Sequence, residues 1–290
     1  MKFPNDKARE TFEKILADLP TIISEQCDNY DELYGYKLIK GTSEETEKYY
    51  YEKYASALVY KFAKAHNFEY DVVVKRLVDT LNWRKEFKPL RAGFVEDHDS
   101  LFSETGIITN YPNGEPNLKV LTWNMYGRLT KKKGLLKDNE KFIRYRIGLM
   151  ERGLQLLDFV DEENNYMTQI HDYEDVSLFG YDHDVKKCAK TIVDMFQAYY
   201  PEMLYAKYFV NVPLVMGWIY DLVKSFVPEE TRRKFVVLNS GKKLGQYIKN
   251  VPTQYGGKTQ LNLEEDLVDQ VKPTDYALYL LQKDMVEDLD

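Results

Sequence analysis

Between about residue 106 and residue 238 short β-rich runs alternate with helical stretches, and few architectures satisfy that order. β-rich runs occupy Gly106 to Thr109 and Lys119 to Met125, around the Pro/Asn/Gly turn at Pro112 to Gly114. Beyond them the pattern predicts helices at about 140–158, 183–199 and 214–227, and strands at about 166–178, 205–212 and Lys234 to Leu238. Strands separated by helices pair in parallel through crossovers, so an α/β fold is expected: a mostly parallel sheet with covering helices.

The preceding stretch, Pro4 to about Phe87, mixes charged and apolar residues without alternation and reads as a helical lobe. Val74, Leu77, Val78 and Leu81 fall at helical spacing behind Asp71, a candidate cap, and Pro89 stops the run. Periodicity is lost over 88–105. The expected organisation is an N-terminal helical lobe at 1–95, an α/β domain at 96–270 and a closing helix within 271–290, behind Pro273.

With 290 residues, 44% of them hydrophobic, the chain can bury one large core or two modest ones. A formal charge of -7 with both signs interspersed argues against nucleic acid as a partner. Only Cys27 and Cys188 are present, far apart, which suits a reducing compartment and suggests neither a disulfide framework nor a zinc site. Met1 to Glu10 is charged throughout, and no apolar run approaches the roughly 18 residues a span requires, so a cytoplasmic protein with at most peripheral membrane contact is expected. No Gly-rich phosphate loop, HExxH or nucleophile elbow occurs, and no enzyme activity is expected. The run Lys131 to Lys133 reads as a solvated loop.

A few residues stand out. Alternation along the 166–178 strand puts Met167, Gln169, His171 and Tyr173 on one face and Thr168, Ile170 and Asp172 on the other. Imidazole and phenolate both ligate iron, but as a bare pattern His-x-Tyr equally describes two core side chains bonded to backbone or water. Arg146 shares a helical face with Phe142, Leu149, Met150 and Gly153, so its guanidinium turns inward and needs an anion. A carboxylate on a neighbouring helix would serve; so would a tyrosinate, whose pKa an adjacent Arg lowers. In the 212–227 segment Pro213 suits a first helical turn, and Trp218, Ile219, Leu222 and Phe226 make an apolar face broader than a core stripe. On its own terms that segment reads as a well-buried helix.

Three stretches read together resemble a family. "ALVYKFAKAHNFEYDVVVKRLVDTLNWRKEF" (57–87) resembles the helical lobe that precedes CRAL-TRIO domains, ending in the pair Trp83-Arg84. "YYPEMLYAKYFVNVPLVMGWIYDLVKSFVPEETRRKFVVL" (199–238) is similar to the most characteristic segment of fungal phosphatidylinositol transfer proteins, and "VPTQYGGK" (251–258) to the segment that closes their domain. "WNMYG" (123–127), "RYRIGLMERGLQLLDF" (144–159) and "YMTQIHDYEDVSL" (166–178) resemble the haem-binding branch of that family.

The resemblance implies a phosphatidylinositol-binding and transfer protein whose cavity also holds haem b, linked to phosphoinositide homeostasis or oxidant response. The alternative is a dedicated haem redox or sensor protein with little lipid transfer. It implies iron ligation by Tyr173 and His171, haem contacts from Arg146, Tyr126 and Lys207, a headgroup contact from Lys234, and a gate carrying Trp218, Ile219, Leu222 and Phe226. On their own, Tyr126 suits a core aromatic and Lys207 a solvated strand-end charge. The acidic partner of Lys234 is expected on the helix before Tyr199, where this chain has Thr191. Peripheral association with the endoplasmic reticulum or other endomembranes is implied as well.

Overall fold

In the computed structural model of the chain, residues 1–41, 43–129, 139–176, 183–213 and 229–287 are described. The expected gate residues Trp218, Ile219, Leu222 and Phe226, and the lysines 131–133, lie outside them.

The lobe opens with α1 (Asp6–Gln26), whose Asn5 side chain accepts the Ala8 N–H at 2.9 Å and so caps the first turn. Phe12, Ile15, Leu19 and Ile23 recur at three- and four-residue spacing and form its buried stripe. A hairpin of β1 (Glu32–Leu33) and β2 (Tyr36–Lys37) leads through α2 (Glu44–Glu47) to α3 (Glu52–Ala65) and α4 (Tyr70–Phe87). Asp71 sits inside the first turn of α4, with Glu69 at the cap position and no side-chain bond there. Lys88, at φ 53°, breaks the helix so that Pro89 can start α5 (Pro89–Phe94).

After α6 (Ser100–Thr105) come β3 (Gly106–Asn110), β4 (Val120–Met125), α7 (Tyr126–Leu129), α8 (Asn139–Leu154), β5 (Met167–Asp172), α9 (His183–Tyr199) and β6 (Leu204–Val210). Then α10 (Glu229–Arg232), β7 (Phe235–Val237) and α11 (Asp275–Glu287) follow. The sheet runs β3-β4-β5-β6-β7; the first pair is antiparallel and the other three are parallel, as the alternation predicts. A parallel sheet that always grows in one direction through right-handed crossovers collects its helices on one face. The opposite face is covered by the chain after β7, which sets Leu244, Ile248, Val251, Tyr255 and Leu263 against Trp123, Ile170 and Val210.

Strand parity therefore divides functions. Leu121, Trp123, Ile170, Tyr208 and Val210 point to the back core, while Gln169, His171, Lys207, Phe209 and Phe235 share the helix-facing side.

The lobe and the sheet domain meet at a buried ion triad. Arg84 donates two bonds to Glu32 (2.8 and 2.9 Å) and two to Glu151 on α8 (2.7 and 3.0 Å), and all three side chains are fully buried. Two carboxylates against one guanidinium leave a surplus negative charge. Tyr30 and Tyr200 answer it by donating their phenols to Glu32 and Glu151 at 2.8 and 2.6 Å. Burial and those carboxylates push both phenols well above their ordinary pKa, so they remain donors. The core that starts with Phe12 and Leu58 continues into Ile147, Leu154 and Met167 without a break at residue 95. The closing helix packs Ala277 and Leu281 on Leu90, and Tyr276 donates to Asp31 at 2.5 Å.

Candidate functional site

The helix-facing side of the sheet brings together the residues singled out in the sequence. His171 lies on β5, level with Asn124 of β4 and Phe209 of β6. Tyr173 stands one residue past the end of β5, which is shorter than the run predicted from sequence, but its N–H still bonds Val210 O at 3.0 Å and carries the ladder on. Tyr126 opens α7 where β4 ends, and its ring lies 5.4 Å from His171 and 5.3 Å from Tyr173. Phe209 completes the aromatic wall at 5.4 Å from His171, with Phe235 at 5.5 Å from Phe209.

Two cations stand against this wall. Arg146 on α8 is 4% exposed and lies 6.0 Å from the Phe196 ring of α9; Phe142, Leu149 and Met150 of its predicted face are buried with it. Lys207 of β6 is half-buried, 5.7 Å from both the Phe209 and Phe235 rings. Neither forms an ion pair among the described residues. Burial, reinforced by Arg146, pushes the Lys207 ammonium down to about 7. Burial, with Lys207 and Arg146 acting in the same sense, holds the His171 imidazole well below its ordinary pKa, so the ring is neutral. Burial raises the Tyr126 phenol although Arg146 pulls it back, and the same opposition leaves the Cys188 thiol raised to about 11, an inert core cysteine.

The neutral imidazole has one nitrogen in use. The Tyr126 hydroxyl and His171 Nδ1 are 2.8 Å apart, while Nε2 is buried with no partner. Asn124 Oδ1, one strand away, is likewise buried and unpaired. Unpaired buried nitrogen, an aromatic wall and two cations lacking counter-charge make a place suited to a flat, partly apolar anion with a metal centre. Were haem b held here, His171 Nε2 and the Tyr173 phenol would be the candidate iron ligands, and Arg146 and Lys207 the candidate partners of its carboxylates. Among the described residues no cluster of three His, Cys, Asp or Glu suits a bare metal ion.

Lys234 belongs to a second group at the opposite, N-terminal edge of the parallel strands. Its ammonium donates to Leu204 O at 3.0 Å and lies 3.8 Å from Glu202. Thr191, where the resemblance expects an acid, donates to Lys187 O on its own helix, and the acid beside Lys234 is Glu202, the last residue of the Tyr-Tyr-Pro-Glu turn. Sequence reasoning also missed Lys61, Lys64 and Tyr166. Lys64 donates to Glu202 at 2.7 Å and to the Tyr166 hydroxyl at 2.9 Å, and Lys61 donates to Glu202 O at 2.8 Å with its ammonium 3.6 Å from the Tyr166 ring. Burial alone would raise the Glu202 carboxyl, but the Lys64 bond and the charge of Lys234 keep it below its ordinary value. Burial pushes the Lys61 ammonium down to about 7, so Lys64 and Lys234 supply most of the positive charge around this carboxylate.

Among the described residues no helix is long and apolar enough to cross a membrane. Residues 105–257 match the CRAL/TRIO domain family. The phosphatidylinositol transfer protein SFH5 of Saccharomyces cerevisiae is 54% identical over the whole of both chains, and that of Candida glabrata 53%. The Candida albicans protein of the same name is 38% identical, over 96% of this chain and 90% of its own. The crystal structure of Sfh5 superposes with a TM-score of 0.96 at 55% identity, covering 99% of this chain and all of the other. With its domain matched and its full length shared with these relatives, the chain belongs to the CRAL/TRIO family and stands with the fungal Sfh5 proteins.

Proposed function

We propose that this protein is a carrier that binds and transfers phosphatidylinositol and that also holds haem b on the helix-facing side of its sheet. The name borne by its full-length relatives supports the lipid half, and so does the positive edge formed by Lys61, Lys64 and Lys234, where a phosphorylated headgroup finds donors. One observation carries the haem half: His171 keeps a buried unpaired Nε2 while Arg146 and Lys207 lie close by without a carboxylate. A carrier of this kind acts by binding and release, with no reaction of its own, in the cytoplasm and at the surfaces of the endoplasmic reticulum or other endomembranes.

A second reading, a dedicated haem sensor or redox protein with little lipid transfer, is favoured by the Lys234 ammonium being already bonded to Leu204 O and close to Glu202. The headgroup contact would have to displace those partners. One preparation tests both readings. Protein purified from its own cells should show haem absorption, and solvent extracts should contain phosphatidylinositol by mass analysis. A colourless protein refutes the haem site; empty extracts, with vesicle transfer no faster than a protein-free control, refute the carrier.

A further inference from the structure

Residues 231–263 hold seven cations and no acid, although the whole chain has a formal charge of -7; the rest of the molecule therefore carries -14. Near β7 the positive charge is partly met, since Arg233 pairs with Glu229 at 3.0 Å and Lys234 approaches Glu202. The four lysines beyond β7 are different. Lys242, Lys243, Lys249 and Lys258 are all exposed, and none forms an ion pair among the described residues.

Their backbone is tightly knotted. Two short 3-10 helices, Gly241–Gln246 and Thr253–Tyr255, pack on one another, and the Lys258 N–H donates to Lys249 O at 2.9 Å. Gly256 sits at φ 78° against the carbonyl of Lys242, and Gly245 and Gly257 press on the carbonyls of Gly256 and Val251, where a Cβ would clash. Leu244, Ile248, Val251 and Tyr255 root this knot in the core behind the sheet. Of the acids around it, Asp172 is buried and taken up by Tyr255 at 2.6 Å and Asn211 at 2.9 Å, and Glu265 accepts from the Asn262 N–H at 3.1 Å. Between Lys243 and Lys249 in the chain, Tyr247 is 44% exposed, with its ring 5.4 Å from Tyr208.

We propose that this lysine knot is the surface by which the protein meets an anionic bilayer. The proposal rests on the carrier reading, because a carrier must visit a membrane repeatedly. Lysines suit such a partner: each is a hydrated point charge with no fixed fork, matched to a fluid layer of headgroups rather than to one rigid contact. A half-exposed tyrosine among them places an amphipathic ring where interface and water meet. The acidic remainder of the chain is repelled by the same surface, so the charge asymmetry also orients the approach.

The test is co-sedimentation of the full chain with vesicles of phosphatidylcholine containing about a third phosphatidylserine, and with vesicles of phosphatidylcholine alone. Each lysine near an anionic leaflet contributes about fivefold to partitioning, so changing all four to Gln should lower binding to the mixed vesicles by roughly tenfold or more even after salt screening. Binding to the neutral vesicles should stay weak and unchanged. A matched variant, Lys7, Lys14, Lys40 and Lys53 to Gln, should bind as the natural chain does. Equal loss in both variants, or no loss in the first while it melts at the natural temperature, overturns the proposal. So does binding of the natural chain to polyglutamate but not to the mixed vesicles, which would indicate a protein partner. Extracted phosphatidylinositol, measured separately, distinguishes failure of this surface from failure of the carrier reading.

Discussion

The phenol of Tyr126 holds Nδ1 of His171 at 2.8 Å and leaves Nε2 of the same ring as the buried nitrogen without a partner. The contact crosses from the start of α7 to the C-terminal end of β5, and it restrains the imidazole ring. If the Nδ1 proton is donated to the Tyr126 oxygen, the unpaired Nε2 carries the lone pair, the form in which a histidine binds iron.

Tyr126→Phe keeps the ring and removes that restraint. In haem-loaded protein the absorption bands should shift, with a stability loss of about 1 kcal/mol in urea unfolding from the broken bond. A haem spectrum identical to that of the natural protein would show that Tyr126 does not orient the ligand.

Tyr173→Phe deletes only an oxygen from a side chain that is 7% exposed and packed on Phe209. Packing should survive, while haem is lost or its ferric spectrum changes. His171→Ala should disturb the same bands, and Arg146→Ala should weaken haem retention by removing charge opposite the carboxylates. Full haem content and an unaltered spectrum in Tyr173→Phe would refute its place as a ligand.

The alternation of runs made the sheet and its order legible, because period-two patterning sorts each strand into two faces before any contact is known. The same rule placed His171 and Tyr173 on one side, and helical spacing turned Arg146 inward. What the sequence hid was set by distance along the chain. Arg84 was legible as half of a Trp-Arg pair, yet its partners Glu32 and Glu151 lie 52 and 67 residues away, and nothing local distinguishes them from surface acids. Glu202 was read as part of a turn because its meeting with Lys64 and Lys234 depends on how the strand ends line up. The lysine knot was invisible to the net charge, an average that cancels local excess.

The Arg84 triad gives a stability prediction. Arg84→Met leaves two carboxylates buried and unpaired at the joint between lobe and sheet, a change that typically costs about 3–5 kcal/mol. Urea unfolding should show that loss, and adding Glu32→Gln and Glu151→Gln should recover a large part of it. A single variant as stable as the natural chain would mean that the triad does not hold the joint.

Lys61 gives a prediction about pH. Its side chain is 4% exposed, and burial pushes the ammonium from the ordinary 10.5 down to about 7, with Glu202 acting in the opposite sense. Between those two values the unfolded chain holds a proton that the native chain has released, so stability rises with pH across that window. Below about 7 both states are charged and the full cost of burying the cation is felt; above about 10.5 both are neutral and the cost is gone. Lys61→Met removes the group and with it this slope. The variant's stability relative to the natural chain should therefore be greatest near pH 6.5 and fall as pH rises, at a rate approaching about 1.4 kcal/mol per pH unit. The lost bond to Glu202 O adds an offset that does not vary with pH, so the slope alone carries the test. Urea unfolding of both proteins at several pH values from about 6.5 to 9.5 measures it, and parallel stability curves would show that Lys61 keeps an ordinary pKa in the folded chain.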